Sequence, residues 1–266
     1  MEPWKLISLE TDIPGEYIGE YFEKKGYNIT RVENLFGDIL YDKEDICEFF
    51  DKKLGHIDRR KLVLYGSGSY HHYTYGLCKR ADKISNNYLY IHFDHHTDYT
   101  SVMYEKDYIS MKHGRPTRSR LSCGSFVDQI LTDTNASALF FVGSIPRNED
   151  KDLHLGIRES TLESEEGPAV LKKQISSLPN EVYLSFDLDV MHISEIKTDY
   201  NQGIMTTELL LKTVEIIKEN KNIIGADILG LSKEEFKGLW LSRTRNKGHS
   251  KGLKLYKKLV DLLITS

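Results

Sequence analysis

Short apolar runs recur along the chain and predict a set of buried strands. They are rich in β-branched and aromatic residues and stop at Gly, Asp or Ser, as buried strands do. The runs lie at Lys61–Gly66, Asn87–Phe93, Ser137–Gly143, Glu181–Phe186 and Asn222–Leu231, with a further run, WKLISLE, near the start.

Amphipathic segments alternate with these runs and predict helices. Thr206–Asn220 begins with a threonine suited to cap a helix and repeats apolar residues at helical spacing. FVDQIL after Cys123, GPAVLKKQISSL from Gly167 and the late segment KGLKLYKKLVDLLI have helical patterns too. This alternation predicts one α/β domain over residues 1–266, with a mainly parallel sheet covered by helices on both faces.

Composition narrows the functional classes. The net charge is −4 and no long basic run is present, so nucleic acid is not an expected partner. No apolar stretch approaches the roughly 20 residues that cross a bilayer, and the N-terminal residues lack the features of a secretion signal. The 3 cysteines are scattered, which favours reduced thiols and a cytoplasmic location.

Ionisable side chains follow three of the predicted strands, at the edge where such sheets bind ligands. GSGSYHH holds His71 and His72, DHHTD runs from Asp94 to Asp98, and SFDLDVMH holds Asp187 and Asp189. Strand alternation predicts that Asp94, His96 and Asp98 point together while His95 and Thr97 face away. The polar segment from Tyr99 to Leu121 is expected to form a surface loop beside this site.

These clusters predict a metal site. One aspartate alone is usually a solvated or capping residue, but four that converge without a cation would repel one another. A donor set rich in oxygen, with two imidazoles and no sulfur, suits Mn²⁺, with Fe²⁺, Co²⁺ or Zn²⁺ as alternatives. Six ligands are too many for one tetrahedral zinc and suit two ions about 3.5–4 Å apart.

The order of the three motifs resembles that of the arginase/agmatinase family of ureohydrolases, over roughly Leu62 to Leu231. The resemblance implies a three-layer α/β/α fold, a dinuclear manganese site and hydrolysis of a guanidinium group to an amine and urea. Six positions match the ligands of that family: His71, Asp94, His96, Asp98, Asp187 and Asp189. By analogy, His71 and Asp98 bind one ion and His96 and Asp189 the other. Asp94 and Asp187 bridge the two ions, and His72 is a neighbour rather than a ligand.

The resemblance also implies catalytic roles. A metal-activated water attacks the guanidinium carbon, and Asp98 holds that water and passes its proton to the leaving amine. The histidine that helps to shuttle protons in the family has two candidate counterparts, Cys123 in SCGSF and His113 in KHGRP, and the sequence does not decide between them. A cysteine that opens a helix can have a lowered pKa, although it is more often a small packed residue.

The substrate pocket departs from the family pattern. The family ends a late strand with Asp-x-x-Glu, whose Glu grips the guanidinium; here Asp227 is kept but Gly230 replaces that Glu, with Glu234 and Glu235 as substitutes nearby. We therefore expect an atypical amidinohydrolase that acts on a small guanidino compound or on arginine within a peptide. The alternatives are an amide or formimino hydrolase or deacetylase on the same fold, or a metal-binding homologue without turnover. Family members are often trimers or hexamers, which makes a homo-oligomer an open expectation.

Overall fold

Eight parallel strands form one sheet in the computed structural model, which describes residues 4–33, 35, 39–55, 60–99, 120–144, 154–236 and 250–265. The strands are β1 (Lys5–Leu9), β2 (Ile29–Val32), β3 (Lys61–Leu64), β4 (Tyr88–Asp94), β5 (Ala136–Gly143), β6 (His154–Ile157), β7 (Glu181–Asp187) and β8 (Asn222–Leu229). Their order across the sheet is β2-β1-β3-β8-β7-β4-β5-β6. The late strands β7 and β8 are thus inserted between β3 and β4, so the carboxyl ends of these four central strands are neighbours.

Helices cover both faces of the sheet. They are α1 (Ile13–Lys24), α2 (Lys43–Leu54), α3 (Thr74–Ala81), α4 (Val127–Asp133), α5 (Glu159–Leu162), α6 (Gly167–Ser176), α7 (Thr207–Asn220) and α8 (Lys251–Ile264). Apolar residues of α1, α6, α7 and α8 pack in one hydrophobic cluster, and those of α2, α3 and α4 pack in the other. The predicted three-layer α/β/α architecture is therefore confirmed.

Strand alternation divides the core between the two faces. In β4, Leu89, Ile91 and Phe93 belong to the cluster under α1, α6, α7 and α8, whereas Tyr88 and Tyr90 belong to the cluster under α2, α3 and α4. A strand that is buried on both faces reads as a continuous apolar run, which is why the central strands could be predicted from the sequence. The helix predicted at Thr206 is also confirmed, because the Thr206 side chain accepts a hydrogen bond from the Leu209 amide.

Two strands and several helices were not predicted. β2 and β6 are four residues long and lie at the two edges of the sheet, so neither carries a long apolar run. Helix α1 contains a proline and two glycines, residues that are unfavourable inside helices and interrupt its apolar spacing. Gly15 is required there because a Cβ would lie 2.6 Å from the Leu9 carbonyl oxygen, and Asp12 caps the helix. Most of the predicted surface loop between Tyr99 and Leu121 lies outside the described residues. Among the described helices, none is long and apolar enough to cross a membrane.

Candidate metal centre

Four aspartates converge at the carboxyl edge of the sheet. Asp94 is the last residue of β4 and Asp187 the last of β7, and these two strands are paired. Asp98 and Asp189 follow them, and all four aspartates are at most 8% exposed. His71 joins them from a short 3-10 helix, Gly68–Tyr73, that follows β3. The four aspartates line an open cavity of about 430 Å³.

The ligand atoms fall into two sets that share Asp94. In the first, His71 Nδ1 lies 2.9 Å from Asp98 Oδ2 and 3.2 Å from Asp94 Oδ2. In the second, His96 Nδ1 lies 2.8 Å from Asp189 Oδ2 and 3.4 Å from Asp94 Oδ1. The structure therefore brings together the six residues that the sequence singled out. Asp187 also lies at this centre, with its Oδ2 3.5 Å from His71 Nδ1.

Backbone groups orient these carboxylates. The His96 amide donates to Asp94 Oδ1, the Asp189 amide donates to Asp187 Oδ1, and the His95 amide donates to Asp189 Oδ1. Asp98 has a φ of 46°, in the left-handed region that residues other than glycine seldom adopt. Such strain is typical of functional positions, and here it turns the chain back so that the Asp98 carboxylate reaches His71.

The protonation equilibria of the site are strongly perturbed. Burial, together with neighbouring carboxylates, raises the pKa of Asp98 to about 8, of Asp187 to about 6 and of Asp189 to about 10. Burial also acts to raise the pKa of Asp94, but its close contacts with His71, His92 and His96 hold it well below its usual range. Among the described residues, only histidines form ion pairs with these four carboxylates. The centre is therefore short of positive charge, and it binds protons where a divalent cation could bind instead.

A second layer of side chains fixes the ring of His71. Ser185 Oγ lies 3.0 Å from His71 Nε2 and donates a hydrogen bond to Asp227, which also accepts one from Tyr183. Because the hydroxyl proton of Ser185 is directed to Asp227, Nε2–H of His71 donates to Ser185. The Nδ1 atom then faces the carboxylates, as in metal sites where a second partner sets the tautomer of a ligating histidine. Asp227 is fully buried behind His71 and supports that histidine.

Two glycines enclose the carboxylate of Asp187. A Cβ on Gly68 would lie 2.8 Å from Asp187 Oδ2, and a Cβ on Gly230 would lie 2.4 Å from Asp187 Oδ1. Gly230 also has a φ of 109°, a conformation that side chains seldom adopt. The glycine that replaces the glutamate of the family motif is thus a packing requirement of the site in this chain.

The residues present fit a metal. His71 Nδ1 and the Nε2 atom of a third histidine, His92, are buried and have no hydrogen-bond partner among the described residues. Two groups of side chains have ligand atoms within 4.8 Å of one another: His71, His92, Asp94 and Asp98 in one, and Asp94, His96 and Asp189 in the other. His92 was missed in the sequence, although strand alternation places it on the same side of β4 as Asp94.

The chain after β4 differs from the prediction in one respect. His95 and Thr97 were expected to face away, but both line the same cavity as the aspartates. The alternation rule fails here because β4 ends at Asp94 and the following residues bend. His72 does point away: it stacks on Tyr41, its ring bonds to the Leu40 carbonyl oxygen, and burial lowers its pKa to about 4.

The candidates for proton transfer lie in different settings. Cys123 lines the cavity, with its Sγ 3.7 Å from the hydroxyl of Tyr200, a cavity residue that the sequence analysis missed. Cys123 does not open a helix, because α4 begins at Val127. Its pKa is raised to about 11, by burial first and by Asp98 second, rather than lowered. His113 lies outside the described residues.

The substitutes for the missing glutamate do not border the cavity. Glu235 Oε1 accepts hydrogen bonds from Ser250 Oγ and the Gly252 amide, and its Oε2 accepts one from the Lys197 amide. The bonds from Ser250 and Gly252 tie Glu235 to the start of α8. Glu234 is exposed on the short 3-10 helix Lys233–Phe236 and is not among the residues that line the cavity.

Known proteins share the sequence profile and the fold of this chain. The sequence profile of the arginase family matches residues 13–234. A sequence search against curated proteins finds no match. Similar solved structures include a hypothetical agmatinase from Burkholderia thailandensis (TM-score 0.65, 19% identity, covering 98% of this chain and 84% of that one). Formimidoylglutamase from Bacillus subtilis (0.64, 15%, 100% and 88%) and arginase from Bacillus subtilis (0.61, 16%, 97% and 98%) are also similar. At these identities the structural likeness shows the fold alone. Since the family profile covers most of the chain, the chain belongs to the arginase family.

Proposed function

We propose that the protein is a two-metal hydrolase that cleaves a C–N bond of a guanidino compound and releases an amine and urea. The observation that carries this proposal is the cluster of four buried aspartates and the histidines beside them, in which two sets of ligand atoms share Asp94. Membership of the arginase family supports the same reaction class. Family membership supports hydrolysis of guanidino or amidino groups, and the two-ion state is part of this proposal.

The donor set suggests how two ions would be held. His71 and Asp98 would bind one ion, His96 and Asp189 the other, and Asp94 and Asp187 would be shared. Two features support this division. Asp94 presents Oδ2 to His71 and Oδ1 to His96, and Gly68 and Gly230 pack closely against the Asp187 carboxylate at the centre. Carboxylate oxygens dominate, so we propose Mn²⁺, with Fe²⁺, Co²⁺ or Zn²⁺ as alternatives.

In the proposed hydrolysis, the ions would activate water and side chains of the protein would transfer protons. When bound, two divalent ions lower the pKa of water enough to supply a nucleophile near neutral pH. The Asp98 carboxylate lines the cavity and can hold the attacking water and carry its proton to the leaving amine. With a pKa of about 11, Cys123 remains a neutral thiol near neutral pH. It can therefore donate a proton but is a poor base, and His113 stays the second candidate for the shuttle.

The substrate end of the cavity supports an atypical substrate. Among the described lining residues, the carboxylates all belong to the metal cluster, and Gly230 leaves no room for a glutamate beside Asp187. The contacts that arginases make to a free amino acid are not recognisable in the sequence. We therefore propose an arginine side chain within a peptide as one substrate, beside small guanidino compounds. A cytoplasmic location stays a proposal that rests on three unpaired cysteines.

Gly230 also favours a second candidate function. Without the family glutamate, the described cavity offers a guanidinium cation no carboxylate apart from the metal cluster. A substrate that does not depend on that ion pair, such as an amide or a formimino group, fits the same hydrolytic centre. The two candidates differ in their products, because hydrolysis of an amide or formimino group releases no urea.

A urea assay separates these candidates. The protein is loaded with Mn²⁺ and incubated with free arginine, agmatine, guanidino acids and arginyl peptides. We expect urea from at least one of these classes and none from Asp94→Ala. Asp45→Ala, which removes an exposed carboxylate in the first turn of α2, serves as the matched control. Release of amine without urea would reject guanidino hydrolysis in favour of the second candidate. Metal binding with no product from any of these compounds would reject guanidino hydrolysis and leave a formimino or amide hydrolase, or a homologue without turnover.

A further inference from the structure

A third histidine lies at the metal cluster, is buried, and has no role in the mechanism above. His92 lies in β4, two residues before Asp94, and is 1% exposed. Its Nε2 is 3.3 Å from Asp94 Oδ2, and its ring stacks on that of His71, with the ring centroids 5.0 Å apart and the planes 10° from parallel. Two imidazoles thus reach the same carboxylate oxygen side by side, in a region where burying an unpaired polar atom is costly.

Resting on the proposed function, we propose that His92 is a further ligand of the ion held by His71, Asp94 and Asp98. Adjacent ligands around an ion with bonds of about 2.1 Å lie roughly 3.0 Å apart at right angles and farther apart at tetrahedral angles. The observed separations along this set are 2.9 Å (His71 Nδ1 to Asp98 Oδ2), 3.2 Å (His71 Nδ1 to Asp94 Oδ2) and 3.3 Å (His92 Nε2 to Asp94 Oδ2). All four ligand atoms lie within 4.8 Å of one another.

Neighbouring side chains hold the His92 ring in an orientation suited to metal binding. The Tyr90 hydroxyl lies 3.1 Å from His92 Nδ1, and a donor Nδ1–H leaves the Nε2 lone pair directed at the cluster. Phe126 and Phe141 pack edge-on against the ring at centroid distances of 6.0 and 5.6 Å, which holds its plane. The His92 ring is therefore fixed before any ion binds, as an effective ligand requires.

This assignment makes the two metal positions chemically unequal. The first set gains a second nitrogen donor and holds His71, His92, Asp94 and Asp98, whereas the second keeps one imidazole, that of His96. Imidazole nitrogens favour zinc, iron and similar transition metals, whereas carboxylate oxygens favour manganese. Removal of His92 should therefore weaken the first position and leave the second largely unchanged.

The test counts imidazole ligands directly. Protein loaded with Mn²⁺ alone is studied by X-ray absorption at the manganese edge, and Mn²⁺ affinity is measured by calorimetry. We expect three imidazole nitrogens per two ions in the unaltered protein and two in His92→Phe, with the affinity of one ion reduced at least about tenfold. The matched control is His72→Phe, because His72 is equally buried but stacks on Tyr41 away from the cluster. This control should keep all three nitrogens.

The number of imidazoles bound to the ions decides whether His92 is a ligand. Two imidazoles per two ions in the unaltered protein overturn the assignment, even if His92→Phe binds more weakly, because His92 would then only position Asp94. Unchanged counts and affinity in His92→Phe overturn it as well. If His92→Phe does not fold, His92→Gln and the count in the unaltered protein still decide. A protein that binds none of Mn²⁺, Fe²⁺, Co²⁺ and Zn²⁺ overturns the proposed function together with this inference, whereas two ions with two imidazoles overturn this inference alone.

Discussion

Substitution of Gly230 by alanine tests how the Asp187 carboxylate is held. The new Cβ would lie 2.4 Å from Asp187 Oδ1 and 2.7 Å from the Leu188 amide nitrogen, closer than real Cβ atoms come. The backbone φ of 109° adds conformational strain. Strain of about 1–3 kcal/mol and overpacking of about 1–3 kcal/mol together predict a loss of about 2–6 kcal/mol in the free energy of unfolding.

Gly26→Ala separates these two contributions. Gly26 also has a positive φ, 83°, but a Cβ there meets no atom within 4 Å. This control should lose about 1–2 kcal/mol, from conformational strain alone. Urea denaturation of both metal-free variants gives the difference in unfolding free energy, and calorimetry with Mn²⁺ gives the effect on metal binding. We expect weaker Mn²⁺ binding in Gly230→Ala because its side chain displaces the Asp187 carboxylate, and unchanged binding in Gly26→Ala.

Identical behaviour of Gly230→Ala and Gly26→Ala would contradict the packing role of Gly230. Equal unfolding free energies would mean that the contact with Asp187 and Leu188 relaxes without cost. Unchanged Mn²⁺ affinity in Gly230→Ala would mean that the Asp187 carboxylate is not held by its glycine neighbours.

Three further predictions concern single side chains. Asp94→Ala should lose most bound Mn²⁺ and all hydrolytic activity, because both ligand sets use this carboxylate; elemental analysis and the urea assay measure this. Since burial raises the pKa of Cys123 to about 11, only about one thiol in a thousand is ionised at pH 8. Alkylation of Cys123 in the metal-free protein, followed by mass spectrometry, should therefore accelerate roughly tenfold per pH unit up to about pH 11. Asp12→Ala should lower the free energy of unfolding by about 2–4 kcal/mol, since one oxygen caps α1 at the Gly15 amide and the other accepts from the Ser67 amide.

Controls and contrary outcomes differ among these tests. Asp45→Ala should keep its metal, and full metal content in Asp94→Ala would refute the ligand assignment. Fast alkylation of Cys123 at pH 7 would show that its thiol is activated rather than suppressed. Asp42 is the N-cap residue of α2 but makes no side-chain capping bond, so Asp42→Ala should cost less than Asp12→Ala. Equal costs would refute the role given to the two bonds of Asp12.

The parts of the fold that the sequence predicted are those in which one physical signal dominates. The central strands are buried on both faces and therefore read as apolar runs, and α7 combines a threonine cap with regular helical spacing. Edge strands such as β2 carry partly exposed, mixed side chains and give no such signal. A Cβ on Gly15 would meet the Leu9 carbonyl oxygen, and one on Gly19 would meet the side chain of Glu10; helical spacing alone does not reveal these contacts.

The sequence predicted which residues form the site better than it predicted how their side chains are arranged. The clusters at the ends of β4 and β7 identified the six candidate ligands, and the structure brings them together. His92 was missed, although alternation within β4 places it on the same side as Asp94. Alternation does not hold beyond the end of that strand, where the chain bends and Asp98 takes a positive φ. The pKa of Cys123 depends on burial by residues distant in sequence, so its direction could not be obtained from the motif.

The central claim is that this buried cluster holds two metal ions. Crystals of the protein grown with Mn²⁺ and measured at the manganese absorption edge test it directly. We predict two anomalous peaks about 3.5–4 Å apart, with Asp94 in contact with both. A cluster without a peak, or peaks located away from these aspartates, would contradict the claim.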